Sequence, residues 1–226
     1  MKKALLLTLF AIVGLTAFAQ TIHIQETPYK DYLMTMKLNG YETRSFDFSQ
    51  LRDSFSMFSF IVQEYQHDTL IKEESITTIP TIFKLSDYSE ADLQEILKEN
   101  EADDPEHDIH MQVSSFTIGF TPIKSDTIEF IRVVTRTMFF TCPLLLKKLC
   151  IYPGHEPEAN YMSVPYDHLQ LKAGEFSPLV LYGSSWYDKQ YNIYRFCGES
   201  KLYESSTNTY QKYCPHYYIL GIVPFK

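Results

Sequence analysis

Runs of aromatic and β-branched residues, separated by short polar segments, recur along most of the chain. Residues 58–65 and 69–72 flank the polar triplet 66–68, and residues 115–121 and 127–135 flank another short turn-like segment. Runs of this composition, bounded by turn residues, are typical of antiparallel hairpins. The pattern therefore predicts a mainly β chain, of the β-rich α+β class.

One segment has helical periodicity instead. Ser89 begins a sequence resembling a capping box, and Leu93, Ile96 and Leu97 form a narrow apolar stripe before a polar end. The spacing predicts one short helix over about 89–99. This helix would lie in an insert within the first half of the chain.

The two halves of the chain contain similar blocks in the same order. The matching blocks are 21–24 with 127–130, 41–52 with 161–172, 55–60 with 176–181, and 116–124 with 218–226. The identical positions of the second pair are Tyr41/Tyr161, Asp47/Asp167, Gln50/Gln170 and Leu51/Leu171. An ordered set of matches indicates internal duplication. We therefore predict two tandem β units packed together, the first at 20–125 with the helical insert and the second, rich in tyrosine, at 126–226.

The N-terminus has the composition of a secretory signal. Lys2 and Lys3 form a positive end, residues 4–15 are apolar, and Ala-Phe-Ala at 17–19 is a cleavage sequence. The apolar run is short for a membrane span, which needs roughly 20 residues. We therefore expect a signal peptide over 1–19, export to the periplasm or beyond the cell, and no membrane span after its removal.

The end of this signal also carries a resemblance. Phe-Ala-Gln at 18–20 resembles the signals of many secreted Bacteroidetes proteins, and the rest of the chain resembles their uncharacterised families. The resemblance lies mainly in the signal peptide. It implies secretion and carries no functional assignment.

The composition is that of a globular protein, with 45% hydrophobic and 21% charged residues and a net charge of -8. An acidic chain has no general attraction for phosphate backbones or anionic headgroups, and we find no local basic cluster in the sequence. We therefore expect no nucleic-acid partner. The expected partner is a protein or a glycan whose identity the sequence does not specify.

Four cysteines follow the predicted cleavage site: Cys142, Cys150, Cys197 and Cys214. An even number in an exported protein predicts two disulfides, for which three pairings are possible. Local pairing of Cys142 with Cys150 and of Cys197 with Cys214 closes the shortest loops and is the pairing we favour. A zinc site is disfavoured because no C-x-x-C spacing occurs.

The sequence contains no nucleophile elbow, zinc-protease helix, P-loop, dinucleotide fingerprint or EF-hand loop. The strongest metal-ligand candidate is the segment that holds Asp103, Asp104, His107 and His110. Carboxylates and imidazoles bind calcium or zinc, but this spacing matches no established site. A solvated loop is the favoured interpretation, and we expect no cofactor.

Two further groups suggest acid–base chemistry only weakly. His155 lies beside Glu156 and Glu158. The histidine would act as a general base, and the two carboxylates would orient it. The repeated Asp47 and Asp167 are a pair that would need to face each other across a cleft. A surface turn for the first group, and hydrogen bonding to nearby backbone for the aspartates, are the favoured interpretations.

Aromatic residues are concentrated in the second half, which holds 12 of the 17 tyrosines and the single tryptophan. Tyr and Trp have a flat apolar face and a polar rim, which suits stacking on sugar rings or on a protein surface. Near a predicted turn at 188–190 lie Trp186, Tyr187, Tyr191 and Tyr194. These four are the predicted ligand-binding residues.

Three classes of function remain. A secreted, non-catalytic binding module is favoured and requires exposed Trp186 and Tyr187. An extracytoplasmic hydrolase, with or without a metal, is the alternative and requires that His107, His110 or His155 converge with carboxylates in a pocket. A structural subunit of a surface assembly is the second alternative and requires long unpaired edge strands.

Overall fold

The computed structural model describes residues 29–49, 54–121, 127–136, 138–149, 154, 156–167, 170–196, 201–203 and 213–226. The predicted signal peptide at 1–19 lies outside the described residues. The chain forms two compact units, Met1–Thr35 and Met36–Lys226. Of the first unit, the structure describes the beginning of helix α1 (Tyr29–Leu38).

The second unit confirms the predicted β-rich fold with one short inserted helix. Its strands are β1 (Glu42–Asp47), β2 (Met57–Gln66), β3 (Thr69–Pro80), β4 (Ile82–Lys84), β5 (Ile109–Gln112), β6 (Ser115–Phe120), β7 (Ile128–Val134), β8 (Phe139–Leu145), β9 (Tyr161–Pro165), β10 (Ser177–Ser184), β11 (Trp186–Asp188), β12 (Ile193–Arg195) and β13 (His216–Phe225). The inserted helix is α2 (Glu90–Glu99), and 3-10 turns lie at Leu85–Asp87 and Pro105–His107.

Two large antiparallel sheets organise this unit. Sheet I has the strand order β1-β6-β7-β8, and sheet II has the order β3-β2-β13-β10-β9. Two small two-stranded sheets, β4-β5 and β11-β12, complete the described strands. Each large sheet contains strands from both halves of the chain, so the two predicted β units share their sheets.

Strand pairing differs between the predicted repeats. Strand β1 pairs with β6, whereas its counterpart β9 pairs with β10. Strand β2 pairs with β3 and β13, whereas its counterpart β10 pairs with β9 and β13. The hydrogen-bonding pattern is therefore not repeated, and the duplication stays a hypothesis drawn from the sequence.

The two predicted hairpins are present. Strands β2 and β3 are joined through His67 (φ 46°) and Asp68 (φ 63°). Positive φ at both central residues is the requirement of the tight turn that matches the twist of two strands. Strands β6 and β7 pair antiparallel, and residues 122–126 between them lie outside the described residues.

Helix α2 begins and ends as its sequence predicts. The Ser89 hydroxyl accepts a hydrogen bond from the backbone N–H of Asp92, and Asn100 adopts the left-handed conformation at the C-terminal end. Of its apolar stripe, Ile96 is buried while Leu97 is 41% exposed. Among the described residues, no helix is long and apolar enough to cross a membrane.

The main core lies between the facing surfaces of sheets I and II. Phe60 meets Phe116 edge-to-face with ring centroids 4.8 Å apart, and Phe120 stacks on Tyr182 at 4.9 Å. Other buried members are Phe58, Val62, Ile118, Ile131, Val133, Leu144, Val180, Tyr218, Leu220 and Ile222. The two sheets therefore form a β-sandwich.

The other face of sheet II is also buried. A second cluster there contains Val164, Tyr166, Leu181, Leu202, Cys214, Tyr217 and Ile219. Strands β10 and β13 are consequently covered on both faces, and their sequences are almost continuously apolar for this reason. Packing is tight enough that a Cβ at Gly221 would lie 2.4 Å from the Ser177 carbonyl oxygen.

Candidate functional site

The predicted ligand-binding aromatics lie together on one small hairpin. Strands β11 and β12 are joined by a turn at 189–192, close to the predicted turn at 188–190. Their register pairs Trp186 with Arg195, Tyr187 with Tyr194, and Asp188 with Ile193. We call residues 186–195 the aromatic hairpin.

Exposure within the aromatic hairpin is uneven. Tyr191 is 58% exposed and Tyr194 is 37% exposed. Trp186 is half-buried and stacks on Tyr213, with ring centroids 6.2 Å apart and an interplanar angle of 16°. Tyr187 is also half-buried. The expectation of exposed Trp186 and Tyr187 is therefore met only in part, and the solvent-facing surface centres on Tyr191 and Tyr194.

Asp188 organises the turn of the aromatic hairpin. One of its carboxylate oxygens accepts hydrogen bonds from the backbone N–H groups of Gln190 at 2.9 Å and Tyr191 at 3.4 Å. Its other oxygen accepts from Nε of Arg195 at 2.6 Å. The Arg195 guanidinium also lies 4.8 Å from the centroid of the Tyr191 ring. The turn is thus held by an Asx-type cap, an ion pair and a cation–π contact.

Contacts across the strands orient the remaining rings. Tyr187 meets Tyr194 edge-to-face, with ring centroids 6.3 Å apart. The Tyr187 hydroxyl donates a hydrogen bond to the side-chain oxygen of Asn192. Aromatic rings and planar polar groups therefore alternate over a short stretch of surface.

A buried polar network lies inside the sandwich, where β10 leads into the aromatic hairpin. His216 is fully buried, with Nδ1 2.6 Å from the Tyr161 hydroxyl and Nε2 2.9 Å from Glu64 Oε1. Lys147 Nζ lies 3.3 Å from the same Glu64 oxygen and donates to Gln66 Oε1 at 3.0 Å. The network therefore leads from an interior tyrosine to a half-buried lysine.

The protonation states in this network follow from burial and charge. Burial lowers the pKa of His216, so the imidazole is neutral near pH 7. Burial acts to raise the pKa of Glu64, but hydrogen bonds and charges from His216 and Lys147 outweigh it and leave that pKa lowered. The neutral imidazole therefore donates a hydrogen bond from Nε2 to the Glu64 carboxylate and accepts one at Nδ1 from the Tyr161 hydroxyl.

This network has little room for a substrate. The cavity beside Glu64, which Tyr218 and Cys142 also line, is about 30 Å³, enough for a water or two. Burial raises the pKa of the Tyr161 hydroxyl, which therefore keeps its proton. The arrangement orients a neutral histidine in the core and satisfies its nitrogens.

A second buried acid lies nearby on β7. Glu129 is 1% exposed, and its Oε1 accepts a hydrogen bond from the Thr121 hydroxyl at 3.0 Å. Its Oε2 has no hydrogen-bond partner among the residues that the structure describes. Burial raises the pKa of Glu129 to about 7; the Thr121 hydrogen bonds oppose this shift, and the charge of Glu42 adds to it.

The repeated aspartates line the same cleft. A cleft of about 480 Å³ between β1 and β9 is lined by both Asp47 and Asp167. Asp47 accepts the backbone N–H of Ser49 at 2.8 Å, which lowers the pKa of that carboxyl, and Asp167 is ion-paired with Lys201 at 2.7 Å. Since each carboxylate has its own partner, the geometry supports local hydrogen bonding more than acid–base catalysis.

The acidic segment with two histidines is not assembled as a metal centre. Among the described residues, no group of three or more His, Cys, Asp or Glu side chains is placed to hold a metal ion. His155 lies outside the described residues. The candidate ligands have separate partners: Asp103 pairs with Arg136, Asp104 with His107, and His110 with Tyr88.

Two of the four cysteines lie among the described residues. Cys142 is a half-buried thiol and Cys214 a buried one, whose Sγ lies 3.2 Å from the Ser184 carbonyl oxygen. Burial raises the pKa of the Cys142 thiol. Their predicted partners, Cys150 and Cys197, lie outside the described residues. Both disulfides therefore stay predictions.

Sequence reasoning missed the buried polar residues. Glu129 alternates with Ile131 and Val133 on the inward side of β7, and this pattern marks it as a buried charge. His216 and Glu64 lie at the ends of apolar strands, where their pairing could not be predicted. The signal in the sequence that could have found these residues was a polar side chain at a position where the alternation of the strand predicts an apolar one.

Comparison with known proteins identifies a family without an assigned activity. Residues 13–226 match the family described as Domain of unknown function (DUF5041). No curated protein and no solved structure matches the chain.

Proposed function

The chain belongs to the DUF5041 family, whose description assigns no activity. We propose that the protein is an exported, non-catalytic module that binds a neutral glycan through the aromatic hairpin. The observation that carries this proposal is the exposure of Tyr191 (58%) and Tyr194 (37%) on one compact hairpin. Trp186, at the beginning of the same hairpin, stacks on Tyr213 and so links the hairpin to a neighbouring segment of the chain.

Ring faces and planar polar groups together match the chemistry of a sugar. The C–H face of a pyranose packs on an aromatic ring, while its hydroxyls need hydrogen-bond donors and acceptors. The hairpin offers the Asp188 carboxylate, the Asn192 amide and the Arg195 guanidinium beside its tyrosines. Polar groups already held by the fold lose little conformational entropy on binding.

The charge of the aromatic hairpin favours a neutral ligand. Asp188 and Arg195 form an ion pair and cancel each other. Lys189 is the remaining charged side chain of residues 186–195. A strongly anionic or cationic ligand would meet no matching cluster of charge there.

The size of the surface favours a glycan over a folded protein. A stable protein interface uses about 20–30 residues on each side, whereas residues 186–195 form a single short hairpin. A few exposed rings are enough to hold a sugar chain, and repeated sugar units add avidity.

Catalysis gains less support from the described residues. His216 and Glu129 are at most 1% exposed, and the candidates His107 and His110 have separate partners. These residues do not converge in an open pocket.

We expect the exported protein to bind at least one member of a panel of neutral polysaccharides, such as glucan, mannan and xylan. Tyr191→Ala and Tyr194→Ala should each weaken binding about tenfold, which corresponds to ~1.4 kcal/mol. Isothermal titration calorimetry measures the affinities, and circular dichroism checks that the variants fold.

The matched control is Tyr203→Ala, because Tyr203 is 46% exposed and lies outside the hairpin. It should bind as the unmodified protein does. Equal losses in all three variants, no binding to any polysaccharide, or capture of a protein through the same tyrosines would each contradict the glycan proposal.

A further inference from the structure

The face of sheet I that points away from sheet II is apolar along β7 and β8. Inward residues of β7, such as Ile131 and Val133, are buried in the core, so the alternate residues point outward. The outward residues form facing pairs: Ile128 with Leu145, Phe130 with Pro143, Arg132 with Thr141, and Val134 with Phe139. We call this set the β7–β8 face.

The apolar side chains of the β7–β8 face are well exposed. Phe139 is 72% exposed, Leu145 60%, Phe130 46% and Val134 40%. Taking ~200 Å² for a fully exposed large side chain, they present on the order of 400 Å² of apolar surface. A patch of this size on a monomer is often functional.

The rest of the outward surface of sheet I is polar. Ser45 on β1 and Thr117 on β6 point outward, and their hydroxyls are 2.8 Å apart. An antiparallel sheet with one wet face normally has polar residues at all such positions. The apolar surface is therefore confined to one edge of the sheet.

The charge of the β7–β8 face is opposite to that of the whole protein. Arg132 is exposed on it, and Lys148 is exposed just beyond β8. Among the outward residues of these two described strands there is no Asp or Glu, because Glu129 points into the core. The outward residues of β7 and β8 thus carry one positive charge and no negative one, on a chain with a net charge of -8. The nearby Glu74 on β3, which lines a cavity with Leu145, is ion-paired with Lys72.

We propose that the β7–β8 face binds the surface of a lipid bilayer that contains anionic lipids. Phe139 and Leu145 enter the boundary between headgroups and acyl chains, and Arg132 and Lys148 meet the phosphates. Apolar insertion combined with attraction between opposite charges is the usual basis of reversible binding to a membrane surface.

The charge of the face argues against a second copy of the chain as the occupant. In a twofold contact centred on this face, Arg132 would approach its own symmetry mate, and two like charges would repel each other. Anionic headgroups instead present the opposite charge to Arg132.

Flotation with vesicles tests the proposal on the protein as the cell exports it. Vesicles of phosphatidylcholine alone are compared with vesicles of phosphatidylcholine and phosphatidylglycerol. We expect binding to the anionic vesicles, weaker binding to the neutral ones, and loss of the difference as salt rises. The double variant F139S/L145S and the charge reversal Arg132→Glu should each reduce binding roughly tenfold or more.

The matched control is Leu97→Ser, because Leu97 is 41% exposed and belongs to α2, outside strands β7 and β8. This variant should bind vesicles as the unmodified protein does. Thermal melts establish that all variants fold, so a loss confined to the face variants is a loss of binding.

Fluorescence locates the inserted residue directly. In a Trp186→Phe background, a tryptophan introduced by Phe139→Trp should shift to shorter wavelength on anionic vesicles and be quenched by lipids with brominated acyl chains. A tryptophan introduced by Leu97→Trp should do neither. Absence of vesicle binding, equal binding by F139S/L145S, or a dimer in sedimentation equilibrium that Phe139→Ser abolishes would each overturn the proposal.

Discussion

A single carboxyl group is buried on the inward side of strand β7. Glu129 alternates with core residues on β7 and is 1% exposed, so its ionised form loses most of its contact with water. The Thr121 hydroxyl compensates at one oxygen only. Burial therefore raises the pKa of Glu129 to about 7, within the range in which most proteins work.

Replacing this acid should stabilise the fold at alkaline pH. The folded pKa of Glu129, about 7, exceeds the ordinary value of 4.5. The stability that depends on its proton is therefore fully present below pH 4.5 and is lost as pH rises through 7. Glu129→Gln should raise the free energy of unfolding by roughly 3 kcal/mol at pH 8 and change it little at pH 4. Urea denaturation at the two pH values measures both numbers.

The control for this measurement is Glu95→Gln, at an exposed position of α2. It should change the free energy of unfolding little at either pH. A gain from Glu129→Gln that is the same at pH 4 and pH 8 would show that the carboxyl does not titrate as its burial requires.

His216 contributes a pH dependence of opposite sign. Burial lowers the pKa of His216, so stability from the neutral imidazole is present above about 6.5 and is lost as pH falls. The unmodified protein and the Glu129→Gln variant both contain His216 and therefore share its contribution to the pH dependence of stability. Comparing them at the same pH therefore isolates the effect of Glu129.

At the scale of single elements, local signals were reliable. The polar segments at 66–68 and 188–190 predicted turns, and hairpins occur at both. Ser89 predicted the beginning of α2, and its side chain caps that helix. Turns and caps depend on residues within a few positions of one another, so sequence alone was sufficient for them.

The predicted repeat pairs Gly119 of β6 with Gly221 of β13, but these glycines have different surroundings. A Cβ at Gly221 would lie 2.4 Å from the Ser177 carbonyl oxygen and 2.5 Å from the Phe176 ring. A Cβ at Gly119 would have its nearest neighbour, the Arg132 carbonyl oxygen, at 3.9 Å. Of the two positions, only Gly221 has no room for a side chain.

Gly221→Ala should therefore lower the free energy of unfolding by about 1–3 kcal/mol, because a backbone carbonyl cannot move as a flexible side chain can. Gly119→Ala is the matched control and should cost less than about 1 kcal/mol, or nothing. Chemical denaturation of the two variants compares them. Equal losses would contradict the packing difference between β13 and β6.

At the scale of the whole molecule, the two halves of the chain depend on each other. Strand β2 of the first half pairs with β13 of the second along its whole length, and β6 pairs with β7 across the boundary at 125/126. Neither half of the chain alone therefore contains all the strands of either large sheet. The exposed edges of a separated half would also be open to aggregation.

We expect fragments 36–125 and 126–226 to be unfolded when made separately. Circular dichroism and the dispersion of NMR amide signals should show no cooperative structure in either fragment. Mixing or co-expressing them should restore a folded complex, because the β2–β13 and β6–β7 pairings can then form. A cooperative thermal transition in one isolated half would instead support two independent domains.

Much of the fold and part of the candidate site could be predicted from the sequence. The grouping of Trp186, Tyr187, Tyr191 and Tyr194 followed from their proximity along the chain, and their hairpin followed from the intervening turn. Their exposure did not follow, because it depends on what packs beside them. Tyr213, which covers Trp186, is distant in sequence.

By itself, the sequence determined the mainly β character, the capped helix α2 and the β2–β3 and β6–β7 hairpins, because these depend on periodicity and turn chemistry over a few residues. It did not predict helix α1 (Tyr29–Leu38). Only the tertiary structure decided which strands become neighbours and which faces are covered. It pairs Glu64 with His216, 152 positions apart, and it places Asp47 and Asp167 in one cleft. It also leaves the β7–β8 face exposed. These features arise from long-range strand pairing, which the alternation of apolar and polar residues permits but does not specify.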